Sequence, residues 1–337
     1  MKGDFAMFGD ANIAIFAGRG GKAFAERMCS YMGRPLGDSE VIRFSEGTSF
    51  VRFQKSVRDR DVYLVQPMGL SPNDQFVEML FWLDAFKRSS AASVTVIMPY
   101  FAYAKGDKKD EPRVSIRGRV CADCIEMAGA DRIMVMDLHS PQVMGFFTRP
   151  MDHLYALPLL CETFRRMDIP LDETVVVSPD AGFAKQARRY GAKLGLPVAI
   201  GDKTRVAHDE KAEVLEIIGD VKGKNALIVD DFTISAGTLC NLAAQLKSRG
   251  VKRIFAMLSH NIISAEGVAR VNKSDIEFIL STDTVDNPNI KGQPKFKTVS
   301  VAPLFAETII RYYNYDSISP LFTSVPESIM PYTIVND

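Results

Sequence analysis

Short apolar runs alternate with stretches of helical period through most of the chain, and this alternation predicts a parallel sheet covered by helices, the α/β class. In the first half the runs at Ile13–Ala17, Val62–Gln66, Val94–Pro99 and Ile133–Asp137 read as strands. Phe24, Met28, Tyr31 and Met32 fall at helical spacing between the first two, with Gly33 following as a helix stop. In the second half the runs are Val175–Pro179, Val198–Ile200, Ala226–Val229, Ile254–Leu258 and Phe278–Leu280. The halves therefore read as two copies of one architecture, without a residue-level repeat. We expect an N-terminal domain over 12–158 and a C-terminal domain over 159–322. Residues 1–11 and 323–337 lack periodicity and read as terminal extensions.

A chain of 337 residues is long for one core and comfortable for two. Its 47% hydrophobic and 24% charged content is that of an ordinary globular protein. Lys plus Arg and Asp plus Glu both number 41, so no net field favours nucleic acid or an anionic membrane, and any polyanion must be held by a local site. The first apolar run follows no basic segment and is too short to span a bilayer, which points to a cytoplasmic protein. Five cysteines, an odd number, argue against a disulfide framework. Cys121 and Cys124 form a CxxC pair, but Val120, Ala122, Ile125 and Met127 around it make a helical pattern, so a helix face is expected there rather than zinc or redox chemistry.

Two stretches carry candidate chemistry. Lys105 to Arg119 gathers Lys105, Lys108, Lys109, Arg113, Arg117 and Arg119 around Gly106, Pro112 and Gly118, directly after a strand. A loop of that length in a compact domain suits a lid over phosphates. In VDDFTISAGT, Val229 to Thr238, a strand delivers Asp230 and Asp231 and a small-residue turn leads into an apolar helix. The turn's backbone N–H groups, with the hydroxyls of Thr233, Ser235 and Thr238, can wrap a phosphate at a helix N-terminus. The two carboxylates suit sugar hydroxyls or a hydrated Mg²⁺. Asp180, at the end of VVVSPDAG, reads either as a ligand group at a strand's C-terminal end or as an N-cap for the helix that follows. His139 in DLHSPQ is either a structural histidine or a ligand.

The VDD segment resembles the phosphoribosyl-binding motif shared by phosphoribosyltransferases and phosphoribosyl diphosphate synthetases. A longer resemblance, to ribose-phosphate pyrophosphokinases, runs from about Ile13 to Phe322. It is carried by RFSEGTSFVRF (43–53), SPNDQFVEMLFWLDAFKRSSA (71–91), PYFAYAKGDKK (99–109), AGADRIMVMDLHSPQVMGFF (128–147), DHLYALPLL (152–160), VVVSPDAG (175–182), DKTR (202–205) and VSVAPLFAETI (299–309). The resemblance implies two similar phosphoribosyltransferase-type domains, each a mainly parallel sheet flanked by helices, and transfer of pyrophosphate from Mg-ATP to the anomeric hydroxyl of a ribose 5-phosphate-type acceptor, with release of AMP. It implies ATP contacts at Phe44, Glu46, Lys105, Asp107 and His139, with Phe44 and Glu46 serving a neighbouring subunit's nucleotide. It further implies Mg²⁺ at His139 and Asp180, and Lys203 and Arg205 as the basic pair on the transferring group. The sugar phosphate falls to Asp180, Asp230, Asp231, Thr233, Ser235, Ala236, Gly237 and Thr238. A homo-oligomer built from dimers, with a hexamer among the candidates, is part of the same expectation.

Three departures from the family pattern cluster on recognition. Lys105 and Gly106 stand where Arg-Gln is usual, Thr48 replaces a carboxylate, and Ile234-Ser235 replaces Asp-Thr. They suggest an altered acceptor, such as one substituted on its 5-phosphate (ADP-ribose, for example). A non-catalytic regulatory homologue is the alternative. A phosphoribosyltransferase is a third reading, opposed by the length of the match and by DLHSPQ.

Overall fold

The computed structural model describes residues 12–205 and 213–333, apart from the side chains of 203–205 and 213–215. Contacts divide the chain into two compact units. The first opens with β1 (Ile13–Ala17) and α1 (Lys22–Met32), continues through a hairpin of β2 (Ser39–Arg43) and β3 (Ser49–Phe53), and proceeds through β4 (Asp61–Val65), α2 (Pro72–Arg88), β5 (Ser93–Met98), α3 (Arg117–Ala128), β6 (Arg132–Met136) and β7 (Met151–Leu154). Its five-stranded sheet has the order β1-β4-β5-β6-β7 and is parallel throughout. Helices cover such a sheet on both faces, which is why β4, β5 and β6 read as unbroken apolar runs. Trp82 and Phe86 of α2 stack at 5.5 Å in the core, completely buried together with Leu64 and Val96. Gly33 ends α1 in the left-handed region, φ 64°, its N–H returning to the carbonyls of Cys29 and Ser30.

The second unit contains α4 (Leu157–Arg165), β8 (Thr174–Ser178), α5 (Ala184–Leu194), β9 (Val198–Arg205), β10 (Glu213–Ile218), β11 (Asn225–Thr233), α6 (Gly237–Ser248), β12 (Ile254–Asn261), α7 (Ala265–Asn272), β13 (Ile276–Thr282) and β14 (Phe296–Val299). Its sheet has the order β10-β9-β8-β11-β12-β13-β14, parallel except for the β9–β10 pair. From β8 the chain lays β9 on one side, then returns to lay β11 and its successors on the other. The strand order thus reverses between β8 and β11. That is where open α/β sheets bind ligands, at the strands' C-terminal ends.

Both units are mainly parallel sheets flanked by helices, as expected, but their strand orders differ. A second departure concerns the expected span of the C-terminal domain. Residues 300–333, including α8 (Ala302–Tyr313), belong with the first unit. Phe305 packs edge-on against Phe24 at 5.4 Å, the Tyr31 hydroxyl donates to Glu307 Oε2 at 2.9 Å, and the Tyr312 hydroxyl donates to Asp152. The stretch expected to be a loose tail is also anchored as far as 333. Ile329 is fully buried, Tyr332 meets the Tyr31 ring at 5.1 Å, and the Ser300 N–H donates to the Thr333 carbonyl at 2.8 Å. Aperiodic sequence hid this segment because single side chains anchor it, not a helical or strand face. Among the described residues no helix is long and apolar enough to cross a membrane.

Candidate active site

In the first unit the candidate residues sit at the C-terminal ends of β5 and β6, which are neighbours in the sheet. After β5 the chain makes a 3-10 turn, Ala102–Lys105, and after β6 it passes through Asp137 and His139 into a second, Pro141–Phe146. One hydrogen bond ties the two loops: the buried Ser140 hydroxyl donates to Asp107 Oδ2 at 2.6 Å. Lys105, Asp107 and exposed His139 are thereby gathered at one edge. His139 follows Asp137, a non-glycine residue in the left-handed region at φ 37°. The turn is braced by buried His153, whose Nε2 accepts the Leu138 N–H at 2.9 Å. Neither His153 nor Ser140 is marked for these roles by its neighbours in sequence, because their partners lie in other loops.

The expected lid over 105–119 is shorter in the structure. Arg117, Gly118 and Arg119 form the first turn of α3. Arg119 is engaged there by Asp123 at 2.6 Å and by the Phe146 carbonyl at 2.9 Å. The i,i+4 pair favours helix over loop. Gly106, where the family carries Gln, packs directly on α3: a Cβ there would lie 2.8 Å from Arg117 Nε and 2.9 Å from its Cβ. Gly106→Gln is therefore expected to displace Arg117 and lower the melting temperature by several degrees, a loss of about 1–3 kcal/mol for overpacking. A thermal melt of the variant at or above the parent's would show that the loop gives way freely.

Phe44 and Glu46 lie in the β2–β3 connection. Phe44 is 46% exposed, its ring centroid 6.4 Å from that of Phe50, so it is not a core residue. The Thr48 hydroxyl donates to Glu46 Oε1 at 2.7 Å. That hydrogen bond, with one from the backbone, holds the exposed Glu46 carboxyl below its ordinary value.

In the second unit β11 is longer than its apolar run, so Asp230 and Asp231 lie within the strand, continuing the ladder beside β12. Each accepts the next residue's N–H: Asp230 Oδ1 that of Asp231 at 2.9 Å, Asp231 Oδ1 that of Phe232 at 2.8 Å. The Asp230 carboxyl is pushed up to about 8, first by desolvation, then by the Asp231 and Asp180 carboxylates. Such a cluster favours a cation or hydroxyl donors. The following loop turns on Ala236, left-handed at φ 55°. The Thr233 hydroxyl accepts the Ala236 N–H at 3.2 Å and the Ser235 hydroxyl that of Gly237 at 3.4 Å. Thr238 stands exposed in the first turn of α6, whose leading N–H groups lack carbonyl partners within the helix.

Asp180 lies just beyond β8, the strand beside β11. Its Oδ1 accepts the Phe183 N–H at 2.9 Å, so it caps the turn into α5 while remaining exposed. The two readings of Asp180 are compatible. Lys203 and Arg205 end β9, and their side chains lie outside the described residues.

Cys121 and Cys124 share α3, with Cys121 buried and its thiol pushed up to about 12 by that burial, away from the reactive thiolate. Among the described residues no three His, Cys, Asp or Glu side chains are grouped to hold a metal by themselves. The carboxylates of the second unit, Asp180, Asp230 and Asp231, are the hard oxygen donors that suit Mg²⁺, which is bound through one or two carboxylates and completes its shell with water and substrate phosphates.

Known proteins match both units of the chain. Residues 13–129 match the N-terminal domain of ribose phosphate pyrophosphokinase, and residues 204–323 the phosphoribosyl synthetase-associated domain. A ribose-phosphate pyrophosphokinase of Chlorobaculum tepidum is 42% identical over 93% of this chain and 95% of its own length. One from Aquifex aeolicus is 40% identical over 92% and 99%. The crystal structure of phosphoribosylpyrophosphate synthetase from Mycobacterium smegmatis superposes with a TM-score of 0.84 at 33% identity, covering 90% of this chain and 99% of that one. Similarity of this extent, spanning both units, makes the chain a member of the ribose-phosphate pyrophosphokinase family of transferases.

Proposed function

We propose that the chain transfers the diphosphoryl group of ATP to the anomeric hydroxyl of ribose 5-phosphate. The anomeric oxygen attacks the β-phosphorus, the bond from that phosphorus to the α–β bridging oxygen breaks, the hydroxyl proton is lost, and AMP leaves. The observation that carries this reading is the strand reversal between β8 and β11, which sets Asp180, Asp230 and Asp231 at the strand ends beside the loop that leads into the N-terminus of α6. Carboxylates for ribose hydroxyls and a helix N-terminus for a phosphate suit the two ends of one sugar phosphate.

In the first unit Lys105, Asp107 and His139 serve the nucleotide, and Phe44 offers an aromatic face to a base. Mg²⁺, if bound with ATP, would neutralise phosphate charge; in the first unit His139 would offer it an imidazole nitrogen, and in the second Asp180 would offer a carboxylate oxygen. Lys203 and Arg205 supply fixed cations to the phosphoryl group in transit.

The relatives are named ribose-phosphate pyrophosphokinase without qualification, which favours ribose 5-phosphate over a 5-substituted acceptor. The departures at Thr48, Lys105-Gly106 and Ile234-Ser235 stand on the other side, Ile234 being 49% exposed on the loop, and neither the relatives nor the geometry favours a regulatory homologue. Cytoplasmic residence and homo-oligomeric assembly belong to the same proposal. AMP release from the pure chain with Mg-ATP and ribose 5-phosphate tests the reading, and no release would refute it. His139→Ala is expected to raise the Mg²⁺ concentration for half-maximal rate by roughly tenfold, in the range for a lost metal contact. An unchanged requirement with a lowered melting temperature would make His139 structural.

A further inference from the structure

The phosphate loop at 234–237 has a support that no sequence motif marks. Its backbone includes Ala236 in the left-handed region, a conformation that costs a non-glycine residue of order 1 kcal/mol and persists only where neighbours determine it. The neighbour is α7. Gly267 lets this helix approach so closely that a Cβ there would lie 2.6 Å from the Ile234 carbonyl oxygen. Two donors then reach the loop from α7: the Ser264 N–H bonds the Ile234 carbonyl at 2.9 Å, and Arg270 Nη1 bonds the Ser235 carbonyl at 2.6 Å.

Arg270 lies in the last turn of α7, where a basic residue ordinarily compensates the helix dipole. Here its guanidinium instead reaches across to the next loop, and Nη1 comes within 3.3 Å of where a Gly237 Cβ would stand. It makes no ion pair with a carboxylate among the described residues, so its charge is spent on that carbonyl. A trans peptide directs its carbonyl and N–H oppositely. Fixing the Ser235 carbonyl toward α7 therefore fixes the Ala236 N–H away from it, where the Thr233 hydroxyl receives it at 3.2 Å. The peptide that opens α6 is held in one orientation before any ligand arrives.

We propose that Arg270 is a positioning residue for the acceptor's phosphate: it preorganises the 234–237 turn so that the first turn of α6, from Thr238 onward, is presented to the 5-phosphate, without touching that phosphate itself. The inference rests on reading this loop as the sugar-phosphate site. A planar guanidinium locked by packing suits the task, and a flexible ammonium only partly replaces it.

The test uses the full chain and the variants Arg270→Gln and Arg270→Lys. It measures ribose 5-phosphate binding by calorimetry, the KM values for ribose 5-phosphate and ATP, and thermal melting. Arg270→Gln is expected to weaken ribose 5-phosphate binding and raise its KM by roughly tenfold, the effect of losing one charged hydrogen bond, with the KM for ATP within about twofold of the parent's. Arg270→Lys should fall between. Equal changes for both substrates, or none, would overturn the positioning role. If Arg270→Gln is too unstable to assay, a parental ratio of the two KM values in Arg270→Lys would overturn it equally. A parent chain that neither binds nor turns over ribose 5-phosphate would refute the site assignment itself, whereas an active parent with indifferent variants refutes only the role of Arg270.

Discussion

Lys203→Ala and Arg205→Ala are each expected to lower kcat by roughly 10²–10³, the range for removing one preorganised transition-state donor. The KM for each substrate should move by no more than about threefold, because a cation on phosphoryl oxygens in transit acts mainly after binding. The backbone makes the pair plausible. β9 runs beyond its short apolar stretch to Arg205, pairing with β10 so that Lys203 faces Leu215 and Arg205 faces Glu213 in register. Positions 203 and 205 therefore share a face of the strand by its two-residue period. Steady-state kinetics decide the matter, and unchanged turnover in both variants would remove the pair from the chemistry.

The second large effect is expected at the paired carboxylates. Measured above pH 8, where Asp230 is ionised, Asp230→Asn with Asp231→Asn should raise the KM for ribose 5-phosphate by roughly tenfold or more, since a charged hydrogen bond to a hydroxyl contributes about 1.5–3 kcal/mol. The KM for ATP should change far less. Equal loss for both substrates would point to misfolding or to a shared metal.

Asp230→Asn alone carries an opposite consequence for stability. Because the folded carboxyl is raised to about 8 from an ordinary value of 3.8, its charged form opposes folding. This penalty is absent at low pH and grows as pH rises from about 4 to about 8. The variant's melting temperature should therefore exceed the parent's by a margin that widens over that window and then levels off. Melting curves at pH 4.5 and pH 8 with the same margin would contradict the buried-charge account.

How much was legible in advance depended on whether a feature was local. Strands covered on both faces announced themselves as apolar runs, and Gly33 marked the end of α1. The β2–β3 hairpin, half exposed, produced no such run, and β10 and β14 were missed likewise. Asp230 to Thr238 was readable as a site because strand, carboxylates and turn are contiguous. Arg119 reads from the sequence as loop, not helix, because its partners, Asp123 and the Phe146 carbonyl, show only after folding. Arg270 and His153 were invisible for the same reason: each acts on a backbone group 15 or more positions away.

Residues 300–333 close the first unit although its sheet is complete in sequence by Leu154. The order of synthesis is therefore not the order of completion. On the ribosome the second unit has all of its described segments once Val299 has emerged, while the face of α1 that will receive Phe305 still waits for α8. A frameshift or stop codon just beyond Val299 would spare every residue of the β8–β11 site and yet leave the nucleotide-side unit with Phe24 and Tyr31 uncovered. Late-truncating lesions should thus behave as folding defects of the N-terminal half, yielding chains prone to aggregation and proteolysis.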